Sequence, residues 1–215
     1  MEKQKLALVT GASRGLGAAL AQGLAARGYH VLAVARTVGA LEELDDRIRA
    51  AGGQATLAPM DVAEAPAMQQ MTKAIADRWG GLDLWAHTAI HTAPLAPAPH
   101  IEGKDWAKSV LVNVDVTRGL IALLEPLLRM RNGTALFFDD ARGGQKFFGA
   151  YGATKAAQIA LARSWQAEAA QHGPRVVIDE PAPMPTAVRG RFFPGEDRST
   201  LTPCQAEADR ILNAL

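Results

Sequence analysis

The chain has 215 residues, of which 48% are hydrophobic and 21% charged, and its net charge is +1. This ordinary composition indicates one folded domain over residues 1–215, and the near-zero charge disfavours a general binder of nucleic acid or anionic membranes. No apolar run approaches the ~18 residues of a membrane-spanning helix, Met1 to Lys5 lacks a signal-peptide pattern, and the single cysteine, Cys204, fits a reducing compartment such as the cytoplasm.

Short strand patterns alternate with longer helical ones along the whole chain. The first half predicts, in order, a strand at Leu6 to Val9, a helix at about Gly15 to Arg27, a strand at Val31 to Ala35, a helix at Leu41 to Ala50, a strand at Ala55 to Ala58, a helix at Met68 to Trp79 and a strand at Leu82 to Ala86. After a proline-bearing loop through His100, the second half predicts a helix at about Lys104 to Met130, which Pro126 is expected to bend, a strand at Thr134 to Phe138, a helix at about Ala150 to Gln171, a strand at Arg175 to Ile178, a Pro-rich segment from Pro181 to Pro203 and a helix at Gln205 to Leu215.

This alternation predicts an α/β fold. Strands that alternate with helices form βαβ units and a parallel sheet, and right-handed crossovers place helices on both faces. We therefore expect a Rossmann-type, doubly wound sheet of about six strands in three αβα layers. Ligands of such folds bind in the crevice at the carboxyl ends of the strands.

A glycine-rich turn joins the first strand to the first helix. Gly11 permits a tight turn, Gly15 lets the main chain approach a diphosphate, and Gly17 lets the helix pack closely on the strand. The free N–H groups at the start of the helix would bind the phosphates. The alternative is a plain glycine turn, but the strand before it and the helix after it favour a dinucleotide site. The predicted contacts in the turn are Thr10, Gly11, Ser13, Arg14, Gly15, Leu16 and Gly17.

The end of the second strand indicates which dinucleotide binds. An acidic residue there would bind the ribose 2′-hydroxyl of NAD, but this chain has Ala35-Arg36-Thr37. Arg36 can pair with a 2′-phosphate, and Arg14 can add a second positive charge. The sequence therefore favours NADP(H) over NAD(H). The alternative is that both arginines are solvated surface residues.

With Tyr151-x-x-x-Lys155, the turn from Thr10 to Gly17 resembles the short-chain dehydrogenase/reductase family over nearly the whole chain. The resemblance implies an oxidoreductase that acts on a small carbonyl or alcohol, commonly as a homodimer or homotetramer. It makes Tyr151 the acid/base and Lys155 the group that binds the nicotinamide ribose and lowers the tyrosine pKa. It implies that the main chain at Asn113 holds a proton-relay water. The remaining implied cofactor contacts are Asp61, Val62, Ala89, Pro181 and Thr186.

Elementary electrostatics supports the Tyr151–Lys155 pair independently. Residues at i and i+4 share one helix face, and a phenol with a pKa near ~10 is a poor base at neutral pH. A positive charge ~4 Å away is worth ~4 kcal/mol at an effective dielectric of ~20, which would bring the pKa of Tyr151 close to neutrality. The alternative is an ordinary amphipathic helix with a half-buried Tyr and a surface Lys.

The chain departs from the family pattern at three places. Asp140 stands where the family has a substrate-orienting serine, Ile90 replaces a glycine beside the nucleotide, and Ala182 replaces the glycine of a Pro-Gly pair. An ionised Asp140 donates no hydrogen bond and would repel a phenolate, a protonated one could donate as serine does, and Arg142 could pair with either Asp139 or Asp140. Ile90 is expected to crowd the adenine ribose.

Several function classes compete with the oxidoreductase. His87, His91 and His100 cluster in sequence, but nothing fixes their convergence, so no metal site is predicted. No G-x-S-x-G elbow supports a hydrolase. The main alternative is a catalytically impaired dinucleotide-binding sensor, and beyond it an interaction protein that has lost the cofactor. We expect residues 183–203 to form a substrate lid and the helices near 104–131 and 150–171 to form an oligomer interface.

Overall fold

In the computed structural model, which describes residues 4–215, six parallel strands form one sheet in the order β3-β2-β1-β4-β5-β6. The strands are β1 (Leu6–Thr10), β2 (His30–Ala35), β3 (Gln54–Pro59), β4 (Leu84–His87), β5 (Thr134–Phe138) and β6 (Arg175–Asp179). The prediction of a doubly wound Rossmann-type sheet is therefore confirmed. The first residues of the polar start, Met1 to Lys3, lie outside the described part of the chain.

Helices cover both faces of this sheet. They are α1 (Gly15–Ala26), α2 (Val38–Ala50), α3 (Ala65–Trp79), α4 (Gly103–Val110), α5 (Val116–Arg129), α6 (Gly149–Ala169), α7 (Ala187–Phe192) and α8 (Cys204–Asn213). A π-helical turn, Leu111–Asp115, joins α4 to α5, so the long predicted helix is one continuous helical stretch with a widened turn in it. Pro126 lies inside α5, which continues to Arg129.

Two apolar cores form because both faces of the strands are buried. Leu6 and Leu8 of β1 point into one core, whereas Ala7 and Val9 point into the other. Alternate side chains of a strand face opposite sides of a sheet, so a continuous apolar run is what a strand covered on both faces requires. The sheet thereby holds the carboxyl ends of β1 and β4, where the strand order reverses, in a fixed position.

Two features differ from the predictions for identifiable reasons. β4 begins at Leu84 instead of Leu82, because the N–H of Leu82 donates to the end of α5 at Leu127. The Pro-rich segment contains α7. This helix was not predicted, because the prolines around it indicated irregular structure. The Thr186 side chain caps α7 by accepting a hydrogen bond from the Arg189 N–H at 3.1 Å. Among residues 4–215, no helix has the length and apolar content needed to cross a membrane.

Candidate active site

A cavity of about 590 Å³ opens at the carboxyl ends of the strands. It runs from the glycine-rich turn to the start of α6 and the segment around α7. Fourteen predicted site residues line it, together with Asp140: Gly11, Ser13, Arg14, Gly15, Leu16, Gly17, Arg36, Asp61, Val62, Ala89, Tyr151, Lys155, Pro181 and Thr186. Thr10 and Asn113 do not line it. Both are fully buried behind its wall.

The glycine-rich turn has the geometry that a diphosphate site needs. Gly11 has a φ of +85°, and a Cβ on it would lie 2.7 Å from the Ala89 nitrogen. A Cβ on Gly17 would lie 2.4 Å from the Gly11 carbonyl oxygen. No side chain caps the start of α1 at Arg14, so the first N–H groups of the helix stay free to bind an anion. The turn therefore fits a dinucleotide diphosphate.

Arg36 and Asp61 form an ion pair at the far end of the cavity from Tyr151. Arg36 Nη1 lies 3.6 Å from Asp61 Oδ2, and the Arg36 side chain is 65% exposed. The second carboxylate oxygen of Asp61 accepts a hydrogen bond from the Ala63 N–H at 3.0 Å. Arg36, which is predicted to bind the 2′-phosphate, is therefore paired with Asp61, one of the implied cofactor contacts.

Tyr151 is held by Asp140. The buried phenol donates a hydrogen bond to Asp140 Oδ2 at 3.0 Å, and Arg142 Nε donates to Asp140 Oδ1 at 2.9 Å. Burial, and then the negative charge of Asp140, raise the pKa of Tyr151 above its ordinary value. The expectation that Lys155 brings this pKa close to neutrality is thus not met. Asp140 thus accepts a hydrogen bond from Tyr151 and pairs with Arg142. The serine of the family pattern would instead donate to the substrate.

Lys155 lies beside Tyr151 on α6 but donates elsewhere. Its Nζ donates to Gln158 Oε1 at 2.8 Å, and both side chains are buried. Burial lowers the pKa of Lys155 to about 8, against a smaller opposing effect of Asp140. A fully buried ammonium loses its hydration, so the neutral form becomes accessible close to physiological pH.

Asn113 lies in the π-helical turn and fixes the wall behind Lys155. Its side chain accepts from the His91 N–H at 2.7 Å and donates to Thr154 Oγ1 at 2.9 Å. Its main-chain carbonyl accepts from Thr117 Oγ1 at 2.9 Å and from Gln158 Nε2 at 3.2 Å. A carbonyl oxygen has two lone pairs. The atom to which the resemblance assigns a relay water is therefore already bound by two side chains.

The polar contacts continue from Gln158 into the interior. Gln158 Nε2 also donates to Thr117 Oγ1 at 2.9 Å, and that hydroxyl lies 3.1 Å from His87 Nε2. His87 Nδ1 lies 2.8 Å from Thr10 Oγ1. Burial, and to a smaller extent the charge of Lys155, lower the pKa of His87 to about 3. His87 is therefore neutral at physiological pH, and Thr10 serves this buried network.

The three histidines that lie close together in the sequence have different environments in the structure. His87 belongs to the buried network, the His91 main chain contacts Asn113, and His100 ends an exposed 3-10 turn, Ala98–His100. In the part of the chain that the structure describes, no three His, Cys, Asp or Glu side chains come close enough together to hold a metal ion.

Aromatic side chains close the Tyr151 end of the cavity. The Phe192 ring on α7 lies 4.9 Å from the Tyr151 ring and 5.0 Å from the Phe148 ring, measured between centroids. Ile90 and Phe193 pack against this cluster. Ile90 was expected to crowd the adenine ribose, but its apolar contacts lie with the aromatic cluster around Tyr151. This end of the cavity therefore combines an aromatic wall with charged side chains, among them Arg142 over the Phe148 ring and Arg189 over the Phe193 ring.

Sequence reasoning missed Gln158 and Thr117. Gln158 follows Tyr151 by seven residues and Lys155 by three, so the helical period places all three on one face. A polar residue at that spacing inside an apolar helix was a usable signal. Thr117 carried no comparable signal, because its partners come from β4 and α6 and depend on the tertiary packing.

Comparison with known proteins gives a consistent picture. The family model described as short chain dehydrogenase matches residues 5–197. A fatty acyl-CoA reductase of Acinetobacter baylyi is 30% identical over 99% of this chain and 73% of its own length. An uncharacterized oxidoreductase of Listeria monocytogenes is 30% identical over 81% of this chain and 71% of its own.

Solved structures agree with these relatives. A short chain dehydrogenase from Salmonella enterica superposes with a TM-score of 0.88 at 27% identity, covering 94% of this chain and 86% of that one. A Shigella flexneri short chain dehydrogenase complexed with NADP superposes with a TM-score of 0.85 at 26% identity, again over 94% and 86% of the two chains.

Proposed function

Because the chain belongs to the short-chain dehydrogenase/reductase family, we propose that it transfers hydride between NADP(H) and a small carbonyl/alcohol pair. One observation carries the proposal: the glycine-rich turn at Gly11 and the Tyr151–Lys155 pair open into the same cavity. A phosphate-binding turn and a proton-transfer group that share one crevice are what such a reaction requires.

The dinucleotide would extend along the cavity from Arg36 to Lys155. The turn from Gly11 to Gly17 would bind the diphosphate, Arg36 and Arg14 the 2′-phosphate, and Lys155 the nicotinamide ribose. Smaller contacts would come from Asp61, Val62, Ala89, Pro181 and Thr186. When bound, the nicotinamide supplies or accepts the hydride. Arg36 in place of an acid supports NADP(H) over NAD(H).

The chain's own side chains would handle the proton and the substrate. Tyr151 would exchange a proton with the substrate oxygen, and Asp140 would control that proton. Asn113 would act indirectly, because its amide fixes Thr154 one residue before Lys155. Residues 183–203 would form the lid over the substrate, with Phe192 as its apolar inner surface. This wall supports a substrate with an apolar body.

Exposed apolar side chains and cysteine usage support a proposal for assembly and compartment. Residues 1–215 would form one domain that assembles as a homodimer or homotetramer, because Trp106 and Leu111 are 44% and 46% exposed on the helices expected to pair. The single cysteine, Cys204, supports a reducing compartment such as the cytoplasm.

A dinucleotide sensor is the second candidate, and the Tyr151–Asp140 hydrogen bond favours it. This bond directs the phenol proton away from a substrate oxygen, and the raised pKa of Tyr151 opposes its ionisation. A protein with this site could bind NADP(H) tightly and turn over slowly or not at all. The two candidates share the cofactor site and differ only in the chemical step.

Binding and turnover measured together test the proposal. Quenching of tryptophan fluorescence would give the affinities for NADPH and NADH, and absorbance at 340 nm would follow turnover with aldehydes, ketones and their alcohols. The Acinetobacter relative justifies including long-chain aldehydes and acyl thioesters. Binding with turnover supports the oxidoreductase, and binding without turnover supports the sensor. Absence of binding to either dinucleotide would refute both.

A further inference from the structure

The polar neighbours of Lys155 are almost fully buried side chains. Lys155 Nζ contacts Gln158 Oε1, Gln158 contacts the Asn113 carbonyl and Thr117, and Thr117 contacts His87. All of these groups are buried. A side-chain amide holds its partners through two N–H donors and a carbonyl acceptor, and none of these groups is a useful acid or base near neutral pH. Gln158 therefore anchors Lys155 without passing a proton.

The Tyr151 hydroxyl has a polar neighbour on its opposite side that does reach solvent. Its partner Asp140 lies 3.0 Å away, and the Asp140 side chain is 32% exposed, whereas Tyr151 is 4% exposed. Arg142 holds the other carboxylate oxygen at 2.9 Å and so fixes the carboxylate plane. Asp140 is thus the titratable group that connects the buried phenol to water.

We propose that the proton of Tyr151 moves to and from solvent through Asp140, while Gln158 closes the route past Lys155. The proposal rests on the oxidoreductase function. It gives Asp140 a different task from the serine in the family pattern: accepting the phenol proton instead of donating to the substrate.

Alcohol oxidation would transfer one hydride and two protons. The substrate carbon gives its hydride to the oxidised nicotinamide, and the substrate hydroxyl gives its proton to the Tyr151 oxygen. In the same step the Tyr151 O–H proton passes to the Asp140 carboxylate, which then releases it to water. Carbonyl reduction uses the reverse path and requires a protonated Asp140.

Several other charged side chains lie near the Tyr151–Asp140 pair. Arg142 and Arg189 place positive charge near Asp140, and Asp139, held by Arg163, places negative charge near Tyr151. Lys155 lies close enough to interact with both aspartates. Among residues 4–215, the phenol itself donates a hydrogen bond only to Asp140.

The test compares the isosteric variant Asp140→Asn with Asp77→Asn, a carboxylate paired with Lys73 on the exposed face of α3. Asp140→Asn is expected to lower alcohol oxidation about 100-fold, the usual size of a lost proton-transfer group, with NADPH affinity within about 3-fold of wild type. Asp77→Asn should leave both unchanged. In Asp140→Ala, added formate should restore at least about 10-fold of the lost rate, and chloride at the same ionic strength should not, because only formate accepts a proton.

A readout independent of turnover separates this proposal from the proposed function. The chain has two tyrosines, so in a Tyr29→Phe background the phenolate absorbance at 295 nm reports Tyr151 alone. Removing the Asp140 charge by Asp140→Asn should move that titration at least about tenfold in proton concentration toward neutral pH. An unshifted titration, or wild-type oxidation rates in Asp140→Asn, would overturn the proton route. A shifted titration in a protein that oxidises no alcohol would instead refute the oxidoreductase.

Discussion

Arg36 and Asp61 form an ion pair in the lining of the cavity. The pair is exposed, so its own contribution to stability is small. Its effect on recognition is larger, because Asp61 holds the guanidinium at the position where a 2′-phosphate would be bound. Replacing Arg36 would remove the phosphate partner and leave an uncompensated carboxylate beside it.

We therefore expect Arg36→Ala to weaken NADPH binding about 10- to 100-fold, the value of a hydrogen bond to a charged group. NADH binding should change less than about 3-fold, because NADH has no 2′-phosphate. Fluorescence titration of both dinucleotides measures the ratio, with the exposed Arg47→Ala on α2 as a charge-matched control. Equal losses for NADPH and NADH would assign Arg36 to general attraction of the diphosphate.

Lys155 gives the second prediction at this scale. Its folded-state pKa of about 8 lies below its ordinary value of 10.5, so between these values the unfolded chain holds a proton that the folded protein has lost. Stability linked to this group therefore rises with pH from about 8 to 10.5, and the cost of burying the charge is fully present below pH 8. Lys155→Met should stabilise the protein by about 1 to 3 kcal/mol at pH 7, and by much less at pH 10.

Urea denaturation at the two pH values measures this difference, with Lys104→Met, an exposed lysine on α4, as the control. A gain for Lys155→Met that is the same at pH 7 and pH 10 would mean that Lys155 keeps its proton throughout. The sequence could place Tyr151 and Lys155 on one helix face. It could not give their charges, because burial and the Asp140 contact, which set both pKa values, come from other elements.

At the scale of elements, the glycine-rich turn connects β1 to α1 without space for side chains. The sequence predicted this turn, the six strands and the six long helical stretches to within a few residues, because buried parallel strands and amphipathic helices have distinct periodicities. It could not predict α7 or the late start of β4. Both depend on single hydrogen bonds, from Arg189 to Thr186 and from Leu82 to Leu127.

Substituting Gly17 tests the close packing of this turn. A Cβ there would meet the Gly11 carbonyl and Thr88 Oγ1 at 2.4 Å, so Gly17→Ala should displace the turn, lower stability by about 1 to 3 kcal/mol and weaken NADPH binding at least about 10-fold. Gly39→Ala is the matched control, because a Cβ on this α2 residue meets nothing within 4 Å. It should stabilise slightly. Thermal unfolding and fluorescence titration measure both effects.

At the scale of the whole molecule, exposed apolar side chains indicate where copies would associate. Trp106 on α4 and Leu111 in the π-helical turn are about half exposed, on the same helical stretch whose buried side supports Lys155 through Asn113. Burial of such side chains is the main favourable term in association. An interface there would also rigidify the wall of the active site.

We expect Trp106→Asp to shift the protein towards monomer, measured by sedimentation equilibrium. Val38→Asp, which changes an apolar residue of 52% exposure on α2, should leave the assembly unchanged. If Trp106→Asp and wild type have the same mass at every concentration, the interface lies elsewhere or does not form.

The contact between Gly15 and Thr186 has a consequence for the order of events. A Cβ on Gly15 would lie 3.3 Å from the Thr186 methyl carbon, so the segment proposed as the lid starts close to the turn that would hold the diphosphate. A nucleotide bound at the turn would contact the start of this segment before a carbonyl substrate bound. For the proposed reductase, we therefore expect sequential addition in kinetic measurements, with the dinucleotide binding first and leaving last.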